Sequence, residues 1–399
     1  MNLLLLVDWE YPCDHQFLNK VYAENLVDRG YEITWVMRPT STDQTSINHH
    51  TWNGSDVYVL PSRAYNPARN SLKFSTGRIQ SHSLFDTDIT FNEFDLVHTR
   101  NDLSMGLISR HIKDEYQIPY AHQISHCKAE ALIEAADQGF ESRKAWAKGQ
   151  LGKRLRRYIA NSADMVLPIS KAMEQHLVQE GYTTPMEVLP TGAEVIENIP
   201  CGQQFKREYD IDSEYLLLYM GSMSPYRNLE FLFDVLTPVT EEYDVELAMV
   251  GGRSESDRTR LQELAEKKGV NSKVTFTGWV SDRDILQSAI AAADVGLSPF
   301  PTNSILRTNA PIKTLEYMAM GTPVVASDTP DQREVIIESG GGFVSQYTVT
   351  GFSKEITKLL SSEEVRNEIG KKGPKYISNN RNFVTLTDRV EQIYEKIQK

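Results

Sequence analysis

Lys313 and Glu316 stand one turn apart in the segment Asn309-Ala310-Pro311-Ile312-Lys313-Thr314-Leu315-Glu316-Tyr317, a basic and an acidic side chain at a predicted helix entrance. Pro311 suits the first helical turn, and Gly321 and Pro323 supply the stop. Ile312, Leu315 and Ala319 recur at helical spacing and give a buried face, and Pro323 to Ala326 reads as a short buried parallel strand. Free amides at such an entrance attract an anion, and a lysine in the first turn adds a full positive charge. Glu316 can accept hydrogen bonds from a sugar's hydroxyls, so the combination suits a nucleotide sugar. The same residues also read as a surface helix with an i, i+3 Lys-Glu pair of small energetic weight.

Those groups need a frame. Strands alternate with helices along the chain, the pattern of α/β architecture with parallel sheets covered on both faces. In the first half, strands are predicted at Leu3 to Val7, Ile33 to Val36, Leu96 to His98, Tyr120 to Ile124, Met165 to Pro168 and Glu187 to Leu189. The alternation restarts with Tyr215 to Met220, then Val245 to Val250, Lys273 to Thr277, Asp294 to Ser298 and Thr322 to Ala326. Residues 194–213 lack a period, carry mixed charge and include Pro200 and Gly202, so they read as a linker. Gly221, Gly251-Gly252 and Gly278 end three strands of the second half. Open parallel sheets bind ligands at that edge, where glycine admits close approach, although glycines there also serve simply to turn the chain.

At 399 residues the chain is too long for one core and suits two domains. Its 42 basic against 54 acidic residues argue against a nucleic-acid partner while leaving room for a local basic site. Cys13, Cys127 and Cys201 are isolated, form neither a disulfide framework nor a metal cluster, and point to a reducing cytoplasm. No apolar run approaches the roughly 20 residues needed to span a bilayer. The Leu3 to Val7 run, cut off by Asp8, Trp9 and Glu10 with no basic residues before it, reads as a core strand and not a signal peptide.

The pattern P-x-K-x-x-E-Y-M-A-x-G-x-P-V-V-A at Pro311 to Ala326 resembles the nucleotide-binding signature of the retaining glycosyltransferases of family 4 (group 1). Asn161-Ser-Ala-Asp-Met-Val-Leu-Pro-Ile-Ser170 with Leu189-Pro-Thr-Gly192, and Leu26 to Val36, resemble landmarks of the same family. The resemblance implies the GT-B fold: two Rossmann-like domains facing across a cleft, with the last helices, including Leu386 to Ile397, crossing back onto the first. It implies an acceptor-side domain over residues 1–195, with 380–399 packing on it, and a nucleotide-sugar domain over 205–379. Gly221-Ser-Met-Ser-Pro-Tyr-Arg227 occupies the family's phosphate loop, with Arg227 at the usual lysine position and Ser222 where an arginine is usual. The first glutamate of the family's glutamate pair falls at Thr308, so sugar identity and orientation depart from the common pattern. The donor-binding set implied is Gly221, Ser222, Arg227, Gly252, Thr308, Ala310, Pro311, Ile312, Lys313, Thr314 and Glu316. Arg227 and Lys313 are expected to stabilise charge on the leaving diphosphate, without a metal or other cofactor.

On the acceptor side, His122-Gln-Ile-Ser-His126 follows a strand where many family members carry a catalytic histidine or arginine. His126 is displaced by one residue from that register and reads equally as a satisfied polar residue. Asp14 and His15, in a bulky acidic loop after the first strand, contact the acceptor or cap the helix beginning near Gln16. Arg100, just past a strand, is an acceptor-side candidate by location. Asp86-Thr-Asp88, Asp210-Ile-Asp212 and Asp282-Arg-Asp284 match the Asp-x-Asp pattern of metal-dependent transferases but read as helix caps or solvated carboxylates.

Arg143 to Arg157 carries seven basic residues, with Trp146, Leu151, Leu155 and Tyr158 tending toward one helical face. Such a helix lies against an anionic bilayer or packs its apolar stripe on the first sheet, and Gly149 and Gly152 weaken it. The expected protein is thus a cytoplasmic transferase, or one at the inner face of the membrane. It moves a hexosyl group from a nucleoside diphosphate (UDP or GDP) sugar to a glycan or lipid-linked acceptor, as in polysaccharide synthesis. A sugar-nucleotide epimerase of the same architecture and a non-catalytic sugar-nucleotide-binding scaffold are the alternatives.

Overall fold

The computed structural model describes residues 1–301 and 305–399. It divides into two compact units, Met1–Pro190 with Phe383–Lys399, and Thr191–Asn382. The first unit contains β1 (Asn2–Glu10), β2 (Glu32–Arg38), β3 (Asn48–Trp52), β4 (Ser55–Val59), β5 (Leu96–Arg100), β6 (Tyr120–Ile124) and β7 (Met165–Pro168). They form one sheet in the order β3-β4-β2-β1-β5-β6-β7, parallel except where β3 pairs with β4. Successive residues of β1 serve opposite faces. Leu3, Leu5 and Val7 pack with Tyr22, Ile393 and Tyr394, and Leu4 and Leu6 pack with Met105 and Ile108.

The β3–β4 hairpin was not foreseen. Its signal is Asn53-Gly54, both at positive φ (48° and 78°), the two-residue turn that matches strand twist. Glu187 to Leu189 forms no regular strand, although the Glu187 and Leu189 amides donate to Val166 and Pro168 carbonyls and run the segment along β7.

The closing helix, Phe383–Gln398, packs on the first unit as expected. The Tyr394 hydroxyl lies 2.6 Å from His98 Nδ1 on β5, and Asn25 Nδ2 donates to Thr387 Oγ1 at 3.2 Å.

The helix Arg143–Ala160 runs unbroken through Gly149 and Gly152. Gly149 lets the helix Lys128–Asp137 approach closely, since a Cβ there would sit 2.6 Å from Ile133 and 2.8 Å from the Ala129 carbonyl. The contact face therefore consists of Gly149, Arg156, Ile159 and Ala160; of the expected apolar stripe, Trp146, Leu151 and Tyr158 are exposed and Leu155 is half-buried. Packing of that stripe on the first sheet is thereby ruled out.

The second unit contains β8 (Tyr215–Gly221), β9 (Val245–Gly251), β10 (Val274–Gly278), β11 (Val295–Ser298), β12 (Val324–Ser327) and β13 (Gly342–Ser345). Among the described residues they form one parallel sheet in the order β10-β9-β8-β11-β12-β13. Leu216 and Leu218 of β8 pack with Leu315, Tyr317 and Met318 of the helix Ile312–Ala319, and Leu217 and Tyr219 pack with Leu232, Val235 and Phe352. The segment read as a linker contains the helix Gly202–Glu208, with Phe205 fully buried in the second core and Ile211 buried beside it. Seven residues are too few to show a period, and Pro200 and Gly202 masked the helix.

Beneath the Arg143–Ala160 helix, Arg156 Nη1 donates to Glu130 Oε2 at 2.8 Å, Nη2 donates to Oε1, and Nε donates to the Tyr182 hydroxyl at 2.8 Å. Burial works against the Glu130 charge, but His176, its Nε2 3.7 Å from Oε1, and the Arg156 hydrogen bonds prevail and hold its carboxyl at about 2. Arg156→Met is expected to cost about 3–5 kcal/mol in urea denaturation by leaving Glu130 buried and unpaired. Because the folded value lies below the unfolded one, the pair's contribution is full above pH 4.5 and is lost as pH falls toward 2. The stability difference between wild type and Glu130→Gln should narrow across that window.

Candidate functional site

The helix Ile312–Ala319 begins at Pro311, which caps it with no side-chain acceptor, so its first amides are not satisfied by a cap. The buried side consists of Thr314, Leu315, Tyr317, Met318 and Ala319, while Ile312 is exposed and so lies off the predicted face. A helix buried this far is not a surface helix with a solvated ion pair. Among the described residues, neither Lys313 nor Glu316 makes a salt bridge.

Hydrogen bonds through Tyr317 and Thr314 fix this helix at the ends of β8, β11 and β12. The Met220 amide donates to the Tyr317 hydroxyl at 2.8 Å. Thr314 Oγ1, with one proton to donate, lies 3.0 Å from both Ser298 Oγ and Gln332 Oε1, and Gln332 Nε2 donates to the Ser327 carbonyl at 3.0 Å. Gly296 makes room for the Tyr317 ring, since a Cβ there would lie 2.4 Å from it. Thr314, expected to bind donor, is instead part of this buried network.

Lys313 Nζ lies 3.9 Å from the centre of the Tyr219 ring and 5.4 Å from that of Phe300. The Arg227 guanidinium lies 5.0 Å from Phe300 and 5.4 Å from Tyr226. Two cations thus share the face of one aromatic ring, an attractive but modest interaction. Arg227 Nε and Nη1 are buried without a hydrogen-bond partner. Loss of hydration, and then the Arg227 charge, push the Lys313 amine well below its ordinary value, against a smaller opposing pull from Glu316. Burial raises the Glu316 carboxyl, opposed by Arg283 and Lys313.

Gly221 (φ 141°) permits this arrangement, because a Cβ there would stand 3.2 Å from Lys313 Nζ. Gly251 is similarly required, as its Cβ would fall 2.5 Å from the Gly221 carbonyl oxygen. Gly252 follows directly, against Met223. Ser222 is exposed, with Oγ 2.8 Å from Ser224 Oγ. Thr308 is buried and donates to the Ile305 carbonyl at 2.6 Å, and the Ala310 carbonyl accepts from Thr191 Oγ1 at 3.3 Å. The structure therefore brings Gly221, Arg227 and Lys313 together at the helix entrance, with Glu316 one turn inside. Tyr219, Phe300 and the Ser298-Gln332 pair were missed by sequence reasoning. Their one signal is position, since each lies at or just beyond a strand's carboxyl end or beside it.

In the first unit the candidates separate. His122 is buried on β6, with Nδ1 2.7 Å from the Tyr120 hydroxyl, and burial lowers it to about 3. It is a core residue, not an acceptor contact. His126 presents surface just beyond β6, where Asn101 clamps Ser125 through its amide at 2.8 Å and its hydroxyl at 2.6 Å. Its imidazole is held below the ordinary value, first by lost hydration and then by the Arg100 and Lys128 charges. Arg100 is buried at the end of β5, with Nη2 3.2 Å from His15 Nε2. Asp14 accepts from Trp9 Nε1 at 2.9 Å, and the helix begins at Gln16 as expected, with the His15 carbonyl accepting from the Asn19 amide at 3.0 Å while His15 Nδ1 makes no hydrogen bond among the described residues. Lys128 pairs with Asp8, which also binds Arg38 Nε at 2.7 Å.

For metals, Asp282 caps the helix Arg283–Ala292 and Asp88 accepts from the Tyr58 hydroxyl at 2.7 Å, as expected of structural carboxylates. Cys127, Glu130 and His176 have ligand atoms within 4.8 Å of one another. Arg156 already occupies both Glu130 oxygens, and burial pushes the Cys127 thiol up to about 12, both unfavourable to a cation.

Chemically, the second-unit site offers two unneutralised cations and bare helix amides to a polyanion. Comparison with known proteins agrees with that chemistry. The family described as "Glycosyl transferases group 1" matches residues 203–376, and the "Glycosyl transferase 4-like domain" matches residues 20–192. Alpha-monoglucosyldiacylglycerol synthase of Streptococcus pneumoniae is 24% identical over 326 residues, 78% of this chain and 68% of that protein. With three other curated relatives the likeness spans 41%, 47% and 48% of their length, so the chain matches about half of each. The structure resembles sucrose-phosphate synthase from Thermosynechococcus elongatus (TM-score 0.74, 16% identity, 100% and 99% of the two chains). It also resembles Anabaena HepE in complex with UDP (TM-score 0.70, 15% identity, 99% and 100%). These likenesses establish the fold, two Rossmann-like units of the GT-B type.

An unpaired buried cation destabilises the free protein, so Lys313→Met should leave its thermal midpoint unchanged or raised. Inorganic pyrophosphate should stabilise wild type by linkage and the variant much less. A marked fall in the midpoint of the unliganded variant would instead make Lys313 structural.

Proposed function

Because the chain belongs to the group 1 glycosyltransferases, with a 4-like first half, we propose that it transfers a sugar from a nucleoside diphosphate sugar to a glycan or lipid-linked acceptor with retention of anomeric configuration. The observation that carries this reading is the Arg227–Lys313 pair at the bare entrance of the Ile312–Ala319 helix. Breaking the anomeric bond places negative charge on the departing diphosphate oxygen. Fixed cations and aligned amides stabilise that charge without reorganising, which lowers the barrier where it develops. Arg227 supplies planar donors with two nitrogens free, and Lys313 supplies a point charge. Binding a dianion returns the Lys313 amine toward its ordinary value, so the interaction strengthens as the donor arrives.

The retaining step is read as front-side: the leaving diphosphate guides the acceptor hydroxyl to the same face through a short-lived oxocarbenium ion, and no protein nucleophile is required. Neither a divalent ion nor another cofactor enters this scheme. The donor carries uridine or guanosine diphosphate. Glu316 is assigned to the sugar hydroxyls, and His126, His15, Asp14 and Arg100 to the acceptor side.

Among the described residues no helix is long and apolar enough to cross a membrane. We place the protein in the cytoplasm, at the inner face of the membrane, attached through the exposed basic and apolar face of 143–157. A scaffold reading is motivated by Ser222 and Thr308, which bring no charge to positions the family usually fills with charged residues.

Acceptor-dependent release of nucleoside diphosphate separates transfer from epimerisation and from passive binding. Arg227→Ala and Lys313→Ala should each lower turnover on the order of 10²-fold. Folding stability should change little. Activity should persist after exhaustive chelation of divalent ions, and wild-type rates in both variants would remove them from the site.

A further inference from the structure

In the first unit, an open cavity of about 510 Å³ is lined by Arg110, Arg154, Arg157, Tyr158, Asn161 and Ser162, none of them a candidate site residue above. It lies between the helix Leu103–Tyr116 and the last turns of the helix Arg143–Ala160. Three guanidinium groups converge on it, and no carboxylate lines it. In a chain of net charge −12 that concentration of positive charge is not a by-product of composition.

Two neighbouring cations of the same helix are already neutralised. Arg156 is bound to Glu130, and Lys153 Nζ lies 2.5 Å from Glu180. The cavity arginines are held differently. Arg110 lies 4.3 Å over the Tyr158 ring and 5.4 Å over Phe74, and its Nε is buried with no hydrogen bond, its nearest carboxylate being exposed Asp114 at 3.6 Å. Arg157 spends one nitrogen on the Glu180 carbonyl at 2.8 Å. Arg154 makes no hydrogen bond or ion pair among the described residues. Asn161 is fixed by the Thr183 amide, which donates to its Oδ1 at 3.0 Å.

We propose that this cavity is a binding site for the phosphate group of an anionic phospholipid. Planar guanidinium donors match phosphate oxygens, and mutual repulsion among three arginines, of which only Arg110 has an ion pair among the described residues (exposed Asp114, 3.6 Å), is relieved by an anion between them. A lipid is favoured over a free phosphate by exposed apolar side chains in and near the cavity: Tyr158 in its lining (47%), Leu151 two turns earlier on the same helix (65%), and Leu72 (66%) on the helix Pro67–Ser75, whose Phe74 ring meets Tyr158. Basic clusters beside exposed apolar side chains are the physical signature of a bilayer-surface contact. The site rests on the membrane-attached reading above and gives it a locus.

The test is co-sedimentation of the full chain with vesicles of phosphatidylcholine alone or mixed with phosphatidylglycerol. Wild type should bind the mixed vesicles, lose binding with rising salt, and ignore phosphatidylcholine. Replacing the three cavity arginines together (Arg110→Gln, Arg154→Gln, Arg157→Gln) should weaken binding by about 100-fold. A control with the same charge change on the same helix, Arg143→Gln, Lys144→Gln and Lys148→Gln, should lose distinctly less. Equal loss in the two triple variants, or equal binding to both vesicle types, overturns the site. So does displacement of the protein from vesicles by millimolar glycerol 3-phosphate, which would make it a free-phosphate site. Pyrophosphate-induced stabilisation, measured in parallel, reports the second unit alone. Its retention in a cavity variant that no longer binds vesicles supports the site, and its absence from wild type counts against the transfer reading and not against the cavity.

Discussion

Two positive charges without counter-ions, Lys313 and Arg227, are the constraint around which the second unit is arranged. Burying an unpaired cation is costly, and the structure offsets it only in part with the Tyr219 and Phe300 rings. Everything near them is fixed more tightly than they are. Tyr317 ties the helix to β8, Thr314 ties it to Ser298 and Gln332, and Gly221 leaves the space the lysine fills. A site held this rigidly and left unneutralised is arranged for charge that arrives with a ligand, which is what electrostatic catalysis requires.

The first unit manages charge in the opposite way. Asp8 bridges Arg38 and Lys128, Asp102 accepts from Arg38 while capping a helix, and Glu130 takes both donors of Arg156. These pairs fasten loops and helices to the ends of β1, β5 and β6. Two clusters of positive charge are not tied down in this way: Arg100 near His15 and His126 at the end of β5, and the three arginines of the cavity beside the Arg143–Ala160 helix.

Most of the frame was legible because parallel strands buried on both faces leave continuous apolar runs such as Leu3 to Val7 and Tyr215 to Met220. Features carried by few residues were harder to see. The Asn53-Gly54 hairpin is announced by a dipeptide, and the seven-residue helix Gly202–Glu208 hides in a stretch with Pro200 and Gly202. The helix Arg143–Ala160 shows the reverse error. Its apolar residues suggested a packing stripe, yet glycine, not leucine, makes the contact, since close helix approach needs small residues.

By itself the sequence determined the two-unit α/β alternation and the helix-and-strand segment around Lys313, since periodicity, stop residues and motif spacing are local properties; Arg227 as its cationic partner followed only from the resemblance of Gly221 to Arg227 to the family's phosphate loop. Only tertiary structure decided that His122 belongs to the core, that Thr314 is a brace, that Lys128 is paired with Asp8, and that Arg110, Arg154 and Arg157 share a cavity. Each of those outcomes depends on burial and on which distant side chain arrives alongside, and burial and long-range pairing are set by packing between elements, which residue spacing along the chain does not encode.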